Sequence, residues 1–205
     1  MALSELTIEF GNVLETRADV LIIPVDGTFV PRPRQYDRLL GNIGAQFLRR
    51  FPDPEVLEDP EAQHWLLEEI ESQVDLPLQL GQAALVELPE EAPFRYAALV
   101  SILDHRGKLE PSGKRNVLAA AFTAALDQCE KASLETIATA VLHGGWRLPR
   151  EEAATVMFGQ LANRKTPAVR LIIRTLEQDW LDEYRKLAAA RGLSSKTSDP
   201  RSRRA

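Results

Sequence analysis

The sequence predicts one three-layer α/β domain with a largely parallel central sheet, and three observations carry that expectation. Strand-like and helix-like segments alternate along the chain, the order that builds a sheet covered by helices. Two of the strand-like runs, residues 96–103 and 137–142, are apolar nearly throughout, as strands buried on both faces are. The chain has 205 residues, 44% of them hydrophobic, enough for one full core.

Residues 6–10 alternate apolar and polar like a half-buried or edge strand, and Gly11-Asn12 supplies a turn. Residues 20–25 form an apolar run, in which Pro24 would delete a ladder hydrogen bond, so the strand should end at or just before it. Asp26-Gly27 opens an irregular loop rich in Pro and Arg, up to Arg34. Leu39, Leu40, Ile43, Phe47 and Leu48 then recur at helical spacing, weakened by Gly41 and Gly44. After an acidic, proline-punctuated connector, Asp59-Pro60 predicts the cap and first turn of a helix to about residue 71, with Trp65, Leu66 and Ile70 inward. Strands are expected at residues 83–88 and 96–103. Ser112 and Gly113 can cap the next helix, whose inward stripe is Val117, Leu118, Ala121, Phe122, Ala125, Leu126 and Cys129.

The run 137–142 stops at His143, Gly144 and Gly145, and Pro149 opens a helix to about residue 161 with Glu151 and Glu152 at its positive end. Residues 169–176 read as the last strand, and Trp180, Leu181, Tyr184, Leu187 and Ala188 as a closing helix ended by Gly192. The domain is thus expected over residues 1–192. Residues 193–205, poor in apolar groups and enriched in Ser and Arg, are expected to be a disordered basic tail.

A formal charge of −5 argues against a general nucleic-acid binder, which carries a clustered basic surface. The lone Cys129 has no disulfide partner and reads as core packing in a reducing compartment. No apolar run approaches the ~18 residues of a membrane span, and no leader is visible, so a cytoplasmic, soluble protein is expected.

Ligands of such sheets gather at the carboxyl ends of parallel strands, here Asp26-Gly27, Asp104-His105, His143-Gly144 and Thr175-Leu176. Gly144 and Gly145 let a backbone approach a ligand, and N–H groups at the start of the next helix can hold a phosphate; an ordinary strand-to-helix turn has the same pattern. Asp26 and His143 are the candidate catalytic groups, and both also read as turn residues. His105, Arg106 and Lys108 could hold phosphate or merely form a solvated loop. Asp26, Asp104, His105 and His143 would suit a metal chemically, but no HxH, HExxH or CxxC spacing supports one, and neither a metal nor a cofactor is expected. Trp65 and Trp180 fall among core residues and read as packing.

Four segments together resemble the macro domain, the ADP-ribose-binding module: ADVLI at 18–22, GQA at 81–83, YAALVSI at 96–102 and, above all, IATAVLHGGWRLPREEAA at 137–154. The last looks like the family's strand, phosphate loop and helix, commonly IAFPAISTGIYGFPxxxAA. The resemblance spans roughly residues 6–187 and implies an α/β/α sandwich with a mixed, largely parallel sheet. It implies that Gly144 stands in the phosphate turn, that Trp146 packs on the distal ribose and that Pro149 starts the helix. Where the family has a GD dipeptide that binds the adenine amino group, this chain has Gly11-Asn12, and Asn12 can accept from an amino group without bringing charge. Pro24-Val25-Asp26-Gly27 replaces the family's NAAN, so the asparagine that binds the distal ribose and assists hydrolysis is absent.

The resemblance therefore implies binding of ADP-ribose or a related nucleotide or phosphate ligand, without hydrolase activity. The residues concerned are Asn12, Asp26, Gly27, His143, Gly144, Gly145, Trp146 and Arg147. Two alternatives stand beside it: a hydrolase of ADP-ribosyl or other phosphoesters using Asp26 or His143, and a ligand-free scaffold that binds a protein partner through the acidic residues 53–75.

Overall fold

The computed structural model describes residues 5–27, 41–53, 64–103, 109–143, 148–164 and 169–196. Its strands are β1 (Glu5–Phe10), β2 (Val20–Val25), β3 (Ala83–Glu87), β4 (Tyr96–Ser101), β5 (Thr136–Thr139), β6 (Arg170–Thr175) and β7 (Ser195–Lys196). They form one sheet in the order β3-β4-β2-β5-β6-β1-β7. Only β3 runs antiparallel to its neighbour, so the carboxyl ends of β1, β2, β4, β5 and β6 share one edge. Helices α1 (Gly41–Arg50), α2 (Trp65–Gln73), α3 (Pro111–Lys131), α4 (Arg150–Asn163) and α5 (Gln178–Ala189) cover the two faces.

The layers follow from strand alternation. In β2, Val20 and Ile22 join the core with α3, α4 and α5, while Leu21, Ile23 and Val25 face the core with α1 and α2. The stripe read on α3 is buried at Leu118, Ala121, Phe122, Ala125, Leu126 and Cys129. Burial pushes the Cys129 thiol up to about 12, which leaves it a packing group. Among the described residues no helix is long and apolar enough to cross a membrane.

Four expectations need correction. First, β2 does not stop before Pro24: it continues to Val25, with Pro24 opposite Val100 of β4. Asp19 and Val25 direct their carbonyls to β4, so Pro24, of opposite parity, directs its nitrogen toward β5. There β5 pairs with β2 only at Val20↔Ile137 and Leu21↔Ala138, so no ladder bond is lost.

Second, the apolar run 137–142 is not all strand. β5 ends at Thr139, and Val141 and Leu142 leave the ladder to pack in the core, with the Leu142 N–H 3.4 Å from the Met157 sulfur. Third, α3 begins at Pro111 after Glu110, without a side-chain cap, instead of being capped at Ser112 and Gly113.

Fourth, the ordered chain extends beyond residue 192. Leu193 is buried in the core, and Ser195 and Lys196 pair with Leu6 and Thr7 of β1. Backbone pairing along an otherwise open strand edge, which leaves no trace in local composition, places this stretch on the sheet. The rest of the expected tail lies outside the described residues.

Asp59 and Pro60 also lie outside them, but the described start of α2 is well anchored. His64 caps it, with Nδ1 accepting from the Leu66 N–H (3.1 Å) and Nε2 donating to the Phe51 carbonyl (3.0 Å). Burial lowers the His64 pKa against the raising effects of Phe51 and Asp53, favouring the neutral tautomer this geometry requires. Asp53 turns inward as well, accepting from the Trp65 N–H at 2.7 Å. Of the acidic stretch, Glu68, Glu71 and Asp75 face solvent.

The amino ends of β2 and β5 are clasped by one carboxylate. Asp19 Oδ2 accepts from Thr136 Oγ1 (2.7 Å) and from the N–H groups of Thr136 (2.8 Å) and Glu135 (3.1 Å). Burial would raise the Asp19 pKa, but these bonds outweigh it and hold the carboxyl below its ordinary value of 3.8. Asp19→Ala should therefore cost about 2 kcal/mol in urea unfolding at neutral pH, through lost charge-assisted bonds and stranded N–H groups. A depressed folded-state pKa stabilises above the unfolded value and is lost as pH falls through the folded one, so the gap between wild type and variant should narrow below about pH 4. An unchanged gap at lower pH would show that the ionised carboxylate is not the clasp.

Candidate functional site

Because β2 and β5 separate after two residue pairs, a cleft of about 270 Å³ opens at the carboxyl edge of the sheet. Pro24, Ile102 and Leu103 line it from β2 and the chain after β4; Ala140, Val141, Leu142 and His143 line it after β5. Gly11, Asn12 and Val13 contribute from the β1 side, with Arg174, Thr175, Leu176 and Glu177 from the end of β6 and the link to α5. Helix α1 supplies Asn42, Ile43 and Gln46, and Arg150 and Tyr184 come from α4 and α5. This is the carboxyl-edge position at which parallel sheets bind ligands.

At the β1 end, Glu9 and Arg174 are register partners on adjacent strands. Arg174 Nε and Nη2 donate to Glu9 Oε2 at 3.2 and 2.9 Å, and Nη1 donates to the Asn12 carbonyl at 3.1 Å. The Arg174 side chain is only 6% exposed, so the guanidinium is almost dry and its charge is met by the carboxylate beside it. Gly11, at φ +141°, is bonded to the Thr175 carbonyl, and a β-carbon there would lie 3.3 Å from Arg174 Nη1. Glycine alone fits both the backbone angle and the close approach. Asn12 then caps the short 3-10 turn Val13–Glu15 through its side-chain oxygen.

Farther along, Arg150 at the start of α4 pairs with Glu177 at 2.7 Å and stacks over the Trp180 ring at 4.9 Å. Trp180 in turn contacts Tyr184, whose ring meets Phe158 edge-on. Trp180 thus buttresses a cleft cation as well as packing. His143, half-buried, sits in the field of this pair. Burial lowers its pKa, Arg150 lowers it further, and Glu177 opposes both.

Of the residues singled out in the sequence, Asn12 and His143 line the cleft. Asp26 and Gly27 come directly after β2 but are not among its lining residues. Gly27 lies against the Leu78 carbonyl and the Ser101 hydroxyl, where no β-carbon fits, so packing explains the glycine. Gly144, Gly145, Trp146 and Arg147 lie outside the described residues, as do Asp104, His105, Arg106 and Lys108. Among the described residues no three His, Cys, Asp or Glu side chains are grouped to hold a metal.

Sequence reasoning missed Arg174, Arg150 and Glu177. The signal for the first was Glu9 and Arg174 themselves, each a charge near the end of a strand otherwise fit for burial.

Solved structures similar to the chain include macrodomains. The Oceanobacillus iheyensis macrodomain with ADP matches with a TM-score of 0.69 and 14% identity, over 91% of this chain and 92% of that one. The Trypanosoma brucei macrodomain in complex with ADP gives 0.61 and 15%, over 90% and 69%. The macrodomain of Thermus aquaticus DarG gives 0.54 and 20%, over 83% and 97%. No protein-family model and no curated protein matches the sequence. The chain has the macrodomain fold.

The charges around His143 set the direction of its response. In an NMR titration the wild-type imidazole should titrate below its ordinary 6.5. Arg150→Gln should move that pKa up and Glu177→Gln should move it down. Identical values in all three proteins would separate the histidine from this pair.

Proposed function

Proceeding from the macrodomain fold, we propose that the chain binds ADP-ribose or a related nucleotide in the carboxyl-edge cleft and does not hydrolyse it. The observation that carries this reading is the cleft itself: apolar walls from Val13, Ile43, Val141 and Leu176, and polar groups that converge from three strands. Its size suits part of a nucleotide; residues 144–147, which the resemblance makes the phosphate loop, lie outside the described residues. Similar macrodomains are described with ADP and with ADPR, which supports the same ligand class.

Hydrolysis would need a base held against a water and the reacting ribose. The sequence lacks the asparagine of the NAAN pattern, and Asp26 is not a lining residue of the described cleft. His143 has the neutral imidazole that a base requires, but among the described residues no side-chain hydrogen bond orients it.

Calorimetric titration with ADP-ribose tests the reading. Binding should weaken at least about tenfold in Ala140→Phe, which places a ring in the cleft from its half-buried floor, while the melting temperature moves by only a few degrees. An ADP-ribosylated protein incubated with the wild type should keep its modification. Absence of binding, or equal affinity in the blocked variant, would remove the cleft as the ligand site; turnover lost in His143→Ala would make the protein a hydrolase.

A further inference from the structure

We infer that β3 pairs edge to edge with the β3 of a second copy of this chain, antiparallel about a twofold axis at Ala84, so that two sheets become one across a dimer. The surface concerned shares no lining residue with the cleft and does not depend on what the cleft binds.

β3 is an edge strand, bonded only to β4. Gln82 and Leu88 turn their ladder groups to β4: the Gln82 carbonyl accepts from the Ser101 N–H, and the Leu88 N–H donates to the Arg95 carbonyl. Direction alternates along a strand, so Ala83, Leu85 and Glu87 turn theirs outward. Glu87 is provided for. Its N–H donates to Gln73 Oε1 at 2.8 Å and its carbonyl accepts from Gln73 Nε2 at 2.9 Å, the two bonds a neighbouring strand would make. Among the described residues nothing takes up the outward N–H or carbonyl of Ala83 or Leu85. Such groups are a template for another strand, and proteins guard them with short strands, charges or proline. The opposite edge, β7, is guarded in this way, being two residues long and bearing Lys196. Ala83, Ala84 and Leu85 carry no such guard.

The open run is complementary to itself. It ends on one side at the Gln73 clamp and on the other at Gly81, where φ is +89° and the Gly81 N–H and Gln82 carbonyl both bond to Ser101, a bulge that stops the ladder. Antiparallel pairing about Ala84 sets Ala83 of each copy against Leu85 of the other, and their outward donors and acceptors satisfy one another. The same twofold brings the clamped Glu87 opposite Gly81, which has no side chain to obstruct it.

The flanks match as well. A β-carbon on Gly81 would lie 3.3 Å from that of Ala120, and Ala124 and Gln128 line a groove of about 510 Å³ along the edge. With Val117 these residues make an uncharged helical stripe, because α3 pairs its charges on the α4 side: Arg115 with Glu152, and Asp127 and Glu130 with Arg164. Of the described residues lining the groove only Asp75 is charged, and Leu80 beside it is 42% exposed. A bare peptide strand would satisfy the backbone and leave the stripe in water. A second copy brings its own α3, antiparallel, with Ala124 near the axis and side chains small enough for two helices to approach. The strip is narrow, which places the pairing among weak, reversible interfaces of less than about 1,200 Å² in total.

Sedimentation equilibrium of the full chain, in a series up to about 300 µM, tests this well above a micromolar dissociation constant. The wild type should pass from one chain mass to two. Ala83→Pro, at the first residue of β3, removes an outward N–H and leaves the ladder to β4 intact, so it should weaken association by about tenfold or more. Its melting curve reports whether it is folded. Ala84→Cys gives a second readout: the axis pair, with α-carbons about 4.5 Å apart, should form a disulfide on mild oxidation and yield a covalent dimer. The wild type should not, since Cys129 is buried. A single chain mass for the wild type at every concentration overturns the inference and leaves the edge to a different strand. Association that survives in folded Ala83→Pro, with no covalent dimer from Ala84→Cys, puts the interface elsewhere and overturns it as well.

Discussion

β2 and β5 are joined at one end and kept from pairing at the other, and the cleft exists because both conditions hold. At the amino end the Asp19 carboxylate gathers three donors from Glu135 and Thr136, fixing the register in which Val20 meets Ile137. Four residues later Pro24 has no N–H to offer β5, so nothing draws the strands back together. β5 turns inward instead, spending Val141 and Leu142 on the core behind the sheet. The separation leaves His143 and the apolar floor facing the opening. A proline in a central strand, which costs a ladder bond in most sheets, here sits where the ladder has already ended.

The charges around the opening are arranged in pairs. Glu9 neutralises Arg174 within the sheet edge, and Glu177 neutralises Arg150 at the helix start. Neither cation is left as a long-range attractor, in keeping with a chain whose net charge is −5. Each still directs N–H groups with defined geometry. Discrimination in such a site comes from hydrogen-bond direction and from the cost of unpaired polar groups, and it depends little on ionic strength.

The architecture was largely legible in the sequence because apolar runs and helical stripes report burial. The 96–103 run, as far as Ser101, and the α3 stripe ending in Cys129 describe real elements, whereas residues 6–10 form a strand that is neither half-buried nor at an edge: β1 lies between β6 and β7, Thr7 and Glu9 are buried and Phe10 is exposed. Burial, however, is not the same as strand. Val141 and Leu142 are apolar for the core and Pro24 is tolerated by a missing neighbour, and neither fact can be known before the strand order is. The site was half legible. Asn12 and His143 stood out as polar residues at turns, whereas nothing in the strand reading of residues 169–176 singled out Arg174, whose place depends on Glu9 lying beside it in β1. The orientation of the Asn12 amide depends on a backbone N–H two residues on and is not written in composition at all.

β7 runs parallel to β1, so its carboxyl end points toward the same edge of the sheet that carries Asn12. Lys196 lies opposite Thr7, five residues before Asn12, a run of about 17 Å along an extended strand. The described chain thus ends pointing toward the cleft mouth at Lys196, while Glu5 enters the sheet from the opposite edge. A fluorophore or surface attachment placed at Glu5 rather than at Lys196 accordingly keeps its own charge and bulk away from the cleft.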